Sequence, residues 1–238
     1  MLVSVVTCGG IGNVLFQVAA AMAYGERNGD KFVLCDRFNI PSSHGVAGPP
    51  ISRLEHKDFP SSYLVYREKA FTYEEIPNMN RSVLLSGYFQ SAKYFDDFSN
   101  IIRERLAPFE QNIPYCSIHI RRGDYLGSDY HNVLDLDYYR EAMDIMGHDR
   151  YVVVSDDLGW AKANFKNDSK SEILFLDGGS ASSDLSILAG CEASIIANSS
   201  FSWWGAWFAG GKTIAPRNWF GPTGPSTKDL YQKDWIIV

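Results

Sequence analysis

Near the middle of the chain an apolar, strand-like run, Tyr115-Cys116-Ser117-Ile118-His119-Ile120, ends abruptly in Arg121-Arg122-Gly123-Asp124-Tyr125. Two adjacent arginines at the end of a buried strand suit an anionic ligand. A guanidinium stays charged at any accessible pH and offers paired N–H donors that match phosphate oxygens. It can therefore hold a diphosphate and offset the charge that develops as that group departs. Strand alternation puts His119 and Arg121 on one face. In parallel α/β sheets the carboxyl ends of the strands open onto the ligand crevice, which predicts that Arg121 points where a nucleotide binds. For Arg122 two readings stand level: a second phosphate ligand, or a surface ion pair with Asp124, which would be worth little.

A second apolar run ends in small polar residues, Asn198-Ser199-Ser200-Phe201-Ser202-Trp203-Trp204-Gly205-Ala206-Trp207-Phe208. A helix starting near Ser200 would aim unpaired backbone N–H groups and serine hydroxyls at a phosphate; alternatively, one serine simply caps that helix. Trp203 and Trp207 are four residues apart, as are Trp204 and Phe208, so they are expected to pack in the core rather than stack on sugar. Close to the N-terminus, Gly9-Gly10-Ile11-Gly12-Asn13 joins a strand to a helix. It is either a ligand-approach loop or a tight turn capped by Asn13. Gly10, Gly12 and the later Asp36 fit part of a dinucleotide fingerprint, but Leu15 occupies its third glycine position.

The elements that must carry these residues are short apolar runs alternating with helical stretches, which argues for an α/β fold with mainly parallel strands. Strands are expected at 2–6, 31–34, 83–86, 115–120, 151–155, 173–176, 193–197 and 212–215, and helices at 13–28, 97–107, 137–146 and 183–190. Gly29 reads as a helix C-cap. The stretch from Pro41 to Pro60 reads as a long loop, and the polar, proline-bounded Pro108 to Pro114 as a domain boundary. Asp135-Leu136-Asp137 has the D-x-D form of metal-binding transferases, but at this place it reads as a helix N-terminus.

With 238 residues, 45% of them hydrophobic, the chain can bury a substantial core, and its net charge of -6 offers no broad basic surface for nucleic acid. The four cysteines, Cys8, Cys35, Cys116 and Cys191, are widely spaced and read as reduced thiols. Asn80, Asn167 and Asn198 begin N-x-S triplets for which no glycan is expected. Without a signal-like segment or an apolar run of about 18 residues, a cytoplasmic enzyme is expected.

In chain order these segments resemble the α1,2-fucosyltransferases of glycosyltransferase family 11. The resemblance rests on Gly10-Ile11-Gly12-Asn13-Val14-Leu15-Phe16-Gln17, His119 to Tyr125, Ser155-Asp156-Asp157 with Trp160, and Asn198 to Trp204 with Ala215-Pro216. Val14 departs from it, standing where the family carries glutamine. The resemblance implies a GT-B-like fold, two Rossmann-like lobes around a cleft. Residues 1–112 would form the acceptor-side lobe and 113–238 the donor lobe, the tail being a candidate to return to the first. It implies inverting transfer of L-fucose from GDP-fucose to a galactose-terminated oligosaccharide, in α1,2 linkage, without cofactor or metal. By position, Arg121 would hold the β-phosphate beside Arg122, and His119 and Asp184 would recognise guanine. Ser199, Ser200 and the backbone of Phe201 would cradle the diphosphate, while Gly10, Gly12 and Asn13 would line the cleft. Asp124 and Asp129 are the candidate bases. The rival readings are a transferase using GDP-mannose, an NAD-dependent oxidoreductase and a non-catalytic glycan-binding module.

Overall fold

The computed structural model describes residues 1–41, 50–109, 111–165 and 171–238. Residues 42–49 of the expected Pro41–Pro60 loop and the Asn167 triplet lie outside them. The chain divides into two compact units, Met1–Ala107 with Ser226–Tyr231, and Pro108–Pro225 with Gln232–Val238.

In the first unit, β1 (Leu2–Val5), α1 (Ile11–Asn28), β2 (Lys31–Phe32), β3 (Leu64–Arg67), β4 (Val83–Ser86) and α2 (Ser99–Leu106) follow one another. Their four strands form an all-parallel sheet in the order β2-β1-β4-β3. Helix α1 is buried along most of its length, and its alanines and Gly25 let it approach the sheet closely. A Cβ on Gly25 would lie 2.7 Å from the Asp30 carbonyl oxygen and 3.1 Å from Val3 Cγ1. The helix ends on Gly29 at φ 68°, the left-handed cap expected there. Segment 226–231 is tied to this unit through Asp229, whose carboxylate accepts from Lys93 Nζ at 2.6 Å and from the Tyr73 amide at 3.0 Å.

The second unit runs β5 (Ile113–Ile120), α3 (Leu136–Met146), β6 (Arg150–Ser155), α4 (Leu158–Phe165), β7 (Glu172–Phe175), α5 (Ala181–Gly190), β8 (Cys191–Ile195), α6 (Ser200–Ala209), β9 (Lys212–Ala215) and β10 (Ile236–Ile237). Its strands are again all parallel, in the order β10-β9-β8-β5-β6-β7. The chain winds outward from β5 through β6 and β7, then returns to β8 on the other side of β5. This is the doubly wound order, and its switch point lies between β5 and β8. Both faces of the sheet are covered. Cys116, Ile118 and Ile120 pack with Tyr139 and Met143 of α3 and Phe165 of α4, whereas Val152 and Val154 pack with Ile187 and Leu188 of α5 and Phe201 of α6.

Strands β3 and β10 and helix α4 depart from the sequence expectation. In β3 only Tyr66 is buried and the flanking residues are exposed, so its apolar signal is faint. Asp135 does open α3, its carboxylate accepting the Tyr138 amide at 2.9 Å, and Gly147 closes it in the left-handed conformation. The tryptophans are core residues. Trp203 and Trp204 are fully buried, Trp203 stacks on Trp207 with centroids 6.5 Å apart, and Trp235 closes against it at 5.4 Å. Trp203→Ala should lower unfolding stability by about 3–5 kcal/mol in urea titrations. A variant of unchanged stability that had lost saccharide binding would instead return this ring to a sugar site.

Candidate functional site

The carboxyl ends of β5, β6 and β8 carry the polar residues singled out in the sequence. At the end of β5, Arg121 Nη2 lies 2.6 Å from Asp124 Oδ1, and Nη1 lies 3.3 Å from Asp156 Oδ2. The guanidinium sits 5.4 Å from the centroid of the Tyr125 ring. The short 3-10 turn Gly123–Tyr125 brings Asp124 back under Arg121, three residues earlier. Asp156 accepts the Arg122 amide with its other oxygen at 2.9 Å, and a Cβ on Gly123 would come within 2.7 Å of Asp156 Oδ2. One carboxylate from β6 therefore sets both the backbone path and the side-chain direction at the arginine strand end.

Of the two readings open for Arg122, the ion pair with Asp124 is not formed: Asp124 pairs with Arg121 instead. Arg122 turns the other way, its Nε 3.3 Å from Asp157 Oδ2 and its guanidinium 4.1 Å from the Trp160 ring centroid. Asp157 in turn caps α4, accepting the Trp160 amide at 3.0 Å. Arg122 thus clamps the start of α4, and Arg121 remains the arginine facing the strand exit. It is 23% exposed, and its partner Asp124 is 46% exposed. An ion pair that open to water is worth about 0–1 kcal/mol. Charge-assisted bonds to a diphosphate are worth roughly 1.5–3 kcal/mol each, so such a ligand can displace Asp124 from Arg121.

His119, on the same face one alternation earlier, is 5% exposed and lies against Phe201 with ring centroids 5.3 Å apart. Burial, and secondarily the Arg121 charge, push its pKa down to about 3, so the imidazole is neutral. Its Nδ1 is buried without a hydrogen-bond partner. Tyr125 joins the arginine and serine segments, its hydroxyl donating to the Asn198 carbonyl at 3.1 Å, and His131 stacks on its ring at 4.2 Å. The Asn198 side chain donates to the Asn132 and Trp219 carbonyls at 2.9 and 2.8 Å. Ser199 caps α6, its hydroxyl accepting the Phe201 amide at 3.3 Å, while Ser200 and Phe201 form the partly exposed first turn.

Asp184 lies in the first turn of α5 and accepts the Gly178 amide at 2.7 Å. Burial raises its pKa. Asp129 is exposed on the loop beyond Tyr125, where a Cβ on Gly221 would lie 2.3 Å from the Asp129 carbonyl oxygen. Gly10, Gly12 and Asn13 belong to the first unit. Of the two readings of the glycine loop, the turn capped by Asn13 is not formed: α1 begins one residue after Gly10, which is its N-cap and bears no side chain, so Asn13 lies inside the first turn. Its Oδ1 accepts from Gln90 Nε2 at 2.8 Å. Sequence reasoning gave no role to Tyr125 or Asp156, although Ser155-Asp156-Asp157 repeats the signal that flagged Arg121, an apolar strand ending in charge. Asp36, the acid of the dinucleotide reading, lies 2.7 Å from His56 Nδ1 on the surface. Among the described residues no helix is long and apolar enough to cross a membrane.

Two parallel-sheet α/β units of this kind make up a GT-B-like fold. The chain belongs to glycosyl transferase family 11, whose model matches residues 51–238. It is 31% identical to the O-antigen biosynthesis glycosyltransferase WbnK of Escherichia coli over 72% of this chain and 67% of that protein. An alpha-1,2-colitosyltransferase of Escherichia coli is 27% identical over 97% of this chain and 96% of its own length. The galactoside alpha-(1,2)-fucosyltransferase 1 of Alouatta caraya is 26% identical over 90% of this chain and 67% of its length. In fold, the chain is similar to Escherichia coli heptosyltransferase WaaC with ADP, at TM-score 0.51 and 15% identity over 100% of this chain and 92% of that one. It is also similar to an Arabidopsis thaliana FUT1 mutant in complex with GDP, at TM-score 0.50 and 10% identity over 92% of this chain and 71% of that one.

The buried histidine makes a direct prediction. Its pKa is lower in the fold than the ordinary value near 6.5, so the unfolded chain takes up this proton first. The contribution of His119 to stability should fall as pH drops through about 6.5 and go on falling toward about 3. In NMR spectra its imidazole signal should not move between about pH 5 and 8, where free histidine titrates. A midpoint near 6.5 would contradict the buried, neutral assignment.

Proposed function

We propose that the protein is an inverting fucosyltransferase that moves L-fucose from GDP-fucose to a hydroxyl of a glycan, O2 of a terminal galactose, in α1,2 linkage. The observation that carries this reading is Arg121, fixed at the switch point of the second sheet by Asp156 and paired otherwise with an exposed, displaceable carboxylate. The relatives named as galactoside α1,2-fucosyltransferases support the donor and linkage. The relative named as a colitosyltransferase, aligned over nearly the whole chain, makes GDP-colitose the second donor to test.

In this mechanism Arg121 binds the β-phosphate of the donor, and the first turn of α6, from Ser200 and Phe201, adds neutral N–H donors. The neutral imidazole of His119 and the carboxylate of Asp184 supply hydrogen bonds to guanine. The acceptor oxygen attacks the fucose anomeric carbon from the face opposite the diphosphate. The bond from that carbon to the β-phosphate oxygen breaks, and its electron pair leaves with GDP. The acceptor proton passes to a carboxylate, Asp129 or the Asp124 that the diphosphate displaces, both of them exposed after β5. The charge on the leaving group is met by Arg121, so no metal is required. Asp135 of the D-x-D sequence is engaged in capping α3.

Purified protein incubated with GDP-fucose, GDP-colitose, GDP-mannose or UDP-galactose, on lactose and N-acetyllactosamine, should release GDP from GDP-fucose and add one fucose to the acceptor by mass. Arg121→Ala should lower the rate by about 100-fold or more. EDTA should leave the wild-type rate unchanged; a loss restored by Mn²⁺ or Mg²⁺ would overturn the metal-free mechanism. Failure of every donor to turn over would overturn the transferase reading.

A further inference from the structure

The first unit holds a polar cluster at its own switch point. Strands β1 and β4 are neighbours in that sheet, with β2 on the far side of β1 and β3 on the far side of β4. Loop Gly9–Gly12 leaves the carboxyl end of β1, Gly87–Gln90 leaves that of β4, and Glu68 follows β3 directly. Glu68 Oε2 accepts the Tyr88 amide at 2.7 Å, and the Phe89 amide lies 3.0 and 3.1 Å from its two carboxylate oxygens. These bonds hold Phe89 at φ 52°, a left-handed conformation costly for an aromatic residue. The approach is so close that a Cβ on Gly87 would lie 2.3 Å from Glu68 Cβ.

The turn has a definite result. The Phe89 ring is driven into the core, 6.5 Å from Tyr66 and edge-on to Tyr94 at 5.2 Å. Tyr88 is turned outward, 44% exposed, and Gln90 reaches Asn13 at the start of α1. Two amide side chains are thereby held together past the carboxyl ends of β1 and β4, where a ligand of a parallel sheet binds. Asn13, Gln90 and Tyr88 are neutral, and Glu68 is an acid. Such a group repels a diphosphate and suits a neutral pyranose, whose adjacent hydroxyls match fixed amides.

We propose that Glu68 is a positioning residue for the acceptor sugar: by fixing the Tyr88–Phe89 turn it holds Gln90 against Asn13, and this amide pair binds the acceptor hydroxyls. The proposal rests on the transferase reading above, with the acceptor rather than the donor at the first unit.

The test is initial-rate kinetics with GDP-fucose and varied N-acetyllactosamine for the wild type, Glu68→Gln and Gln90→Ala, together with GDP affinity by calorimetry for all three. Glu68→Gln replaces one acceptor oxygen with an N–H₂ facing the Tyr88 and Phe89 amides. Gln90→Ala removes the binding group and leaves the turn untouched, which covers the case in which Glu68→Gln folds poorly. Both variants should raise the acceptor KM about tenfold, the effect of one lost hydrogen bond, with GDP affinity within about twofold of wild type. An unchanged acceptor KM in Gln90→Ala, or a lowered melting temperature without a KM change in Glu68→Gln, would overturn the proposal, as would an equal loss of GDP affinity. A wild type that neither binds GDP nor transfers fucose would remove the transferase reading and the proposal with it. An active wild type with unaffected variants removes the proposal alone.

Discussion

An arginine at the end of a buried strand must be held still and yet left able to receive an anion. Asp156 meets both demands. One oxygen takes the Arg122 amide and fixes the chain as it leaves β5, and the other touches one edge of the Arg121 guanidinium. The opposite edge is left to Asp124, a partner open to water and weakly held. The remaining features depend on this arrangement. A side chain at Gly123 would crowd the Asp156 carboxylate, and Arg122 is turned away onto Asp157 and Trp160. Tyr125 then lies beneath Arg121 and ties it to the serine segment through the Asn198 carbonyl.

The two units use the same device. In each, an acid directly after one strand receives backbone amides from the loop leaving the neighbouring parallel strand: Asp156 after β6 for the exit of β5, and Glu68 after β3 for the exit of β4. Parallel strands place their carboxyl ends side by side, so a short acid at one exit can shape the next. The charges around the two sites differ. Arginine stands beside Asp156, whereas the turn that Glu68 holds leads to the neutral amide pair of Gln90 and Asn13.

Much of this was legible in the sequence. Eight strands are legible as apolar runs, and six of them, β1, β4, β5, β6, β8 and β9, are buried on both faces as parallel strands are. The tryptophans declared their burial by four-residue spacing, and Asp135 declared a helix start. Strand β3 was hidden because its residues alternate around a single buried tyrosine, and α4 because Leu158 to Phe165 has no clear apolar face. In the site, the prominence of Arg121, His119 and the Asn198–Phe201 segment could be read from strand ends alone. What could not be read was pairing across strands. The sequence places Asp124 near both arginines, and only the β5–β6 register shows that Asp156 and Asp157 divide them. The Glu68 clamp was illegible for the same reason, since it joins residues about twenty positions apart through a turn that a phenylalanine would not ordinarily make.

The proposed role of the second unit is to hold a nucleotide through its diphosphate, by the Arg121 guanidinium rather than a metal. Calorimetric titration of the protein with GDP and with GMP, both in EDTA, tests it most directly. The expected result is saturable GDP binding, with GMP weaker by about tenfold or more for want of the β-phosphate proposed to meet Arg121. Equal affinity for the two nucleotides, or GDP binding that appears only when a divalent cation is restored, would contradict it.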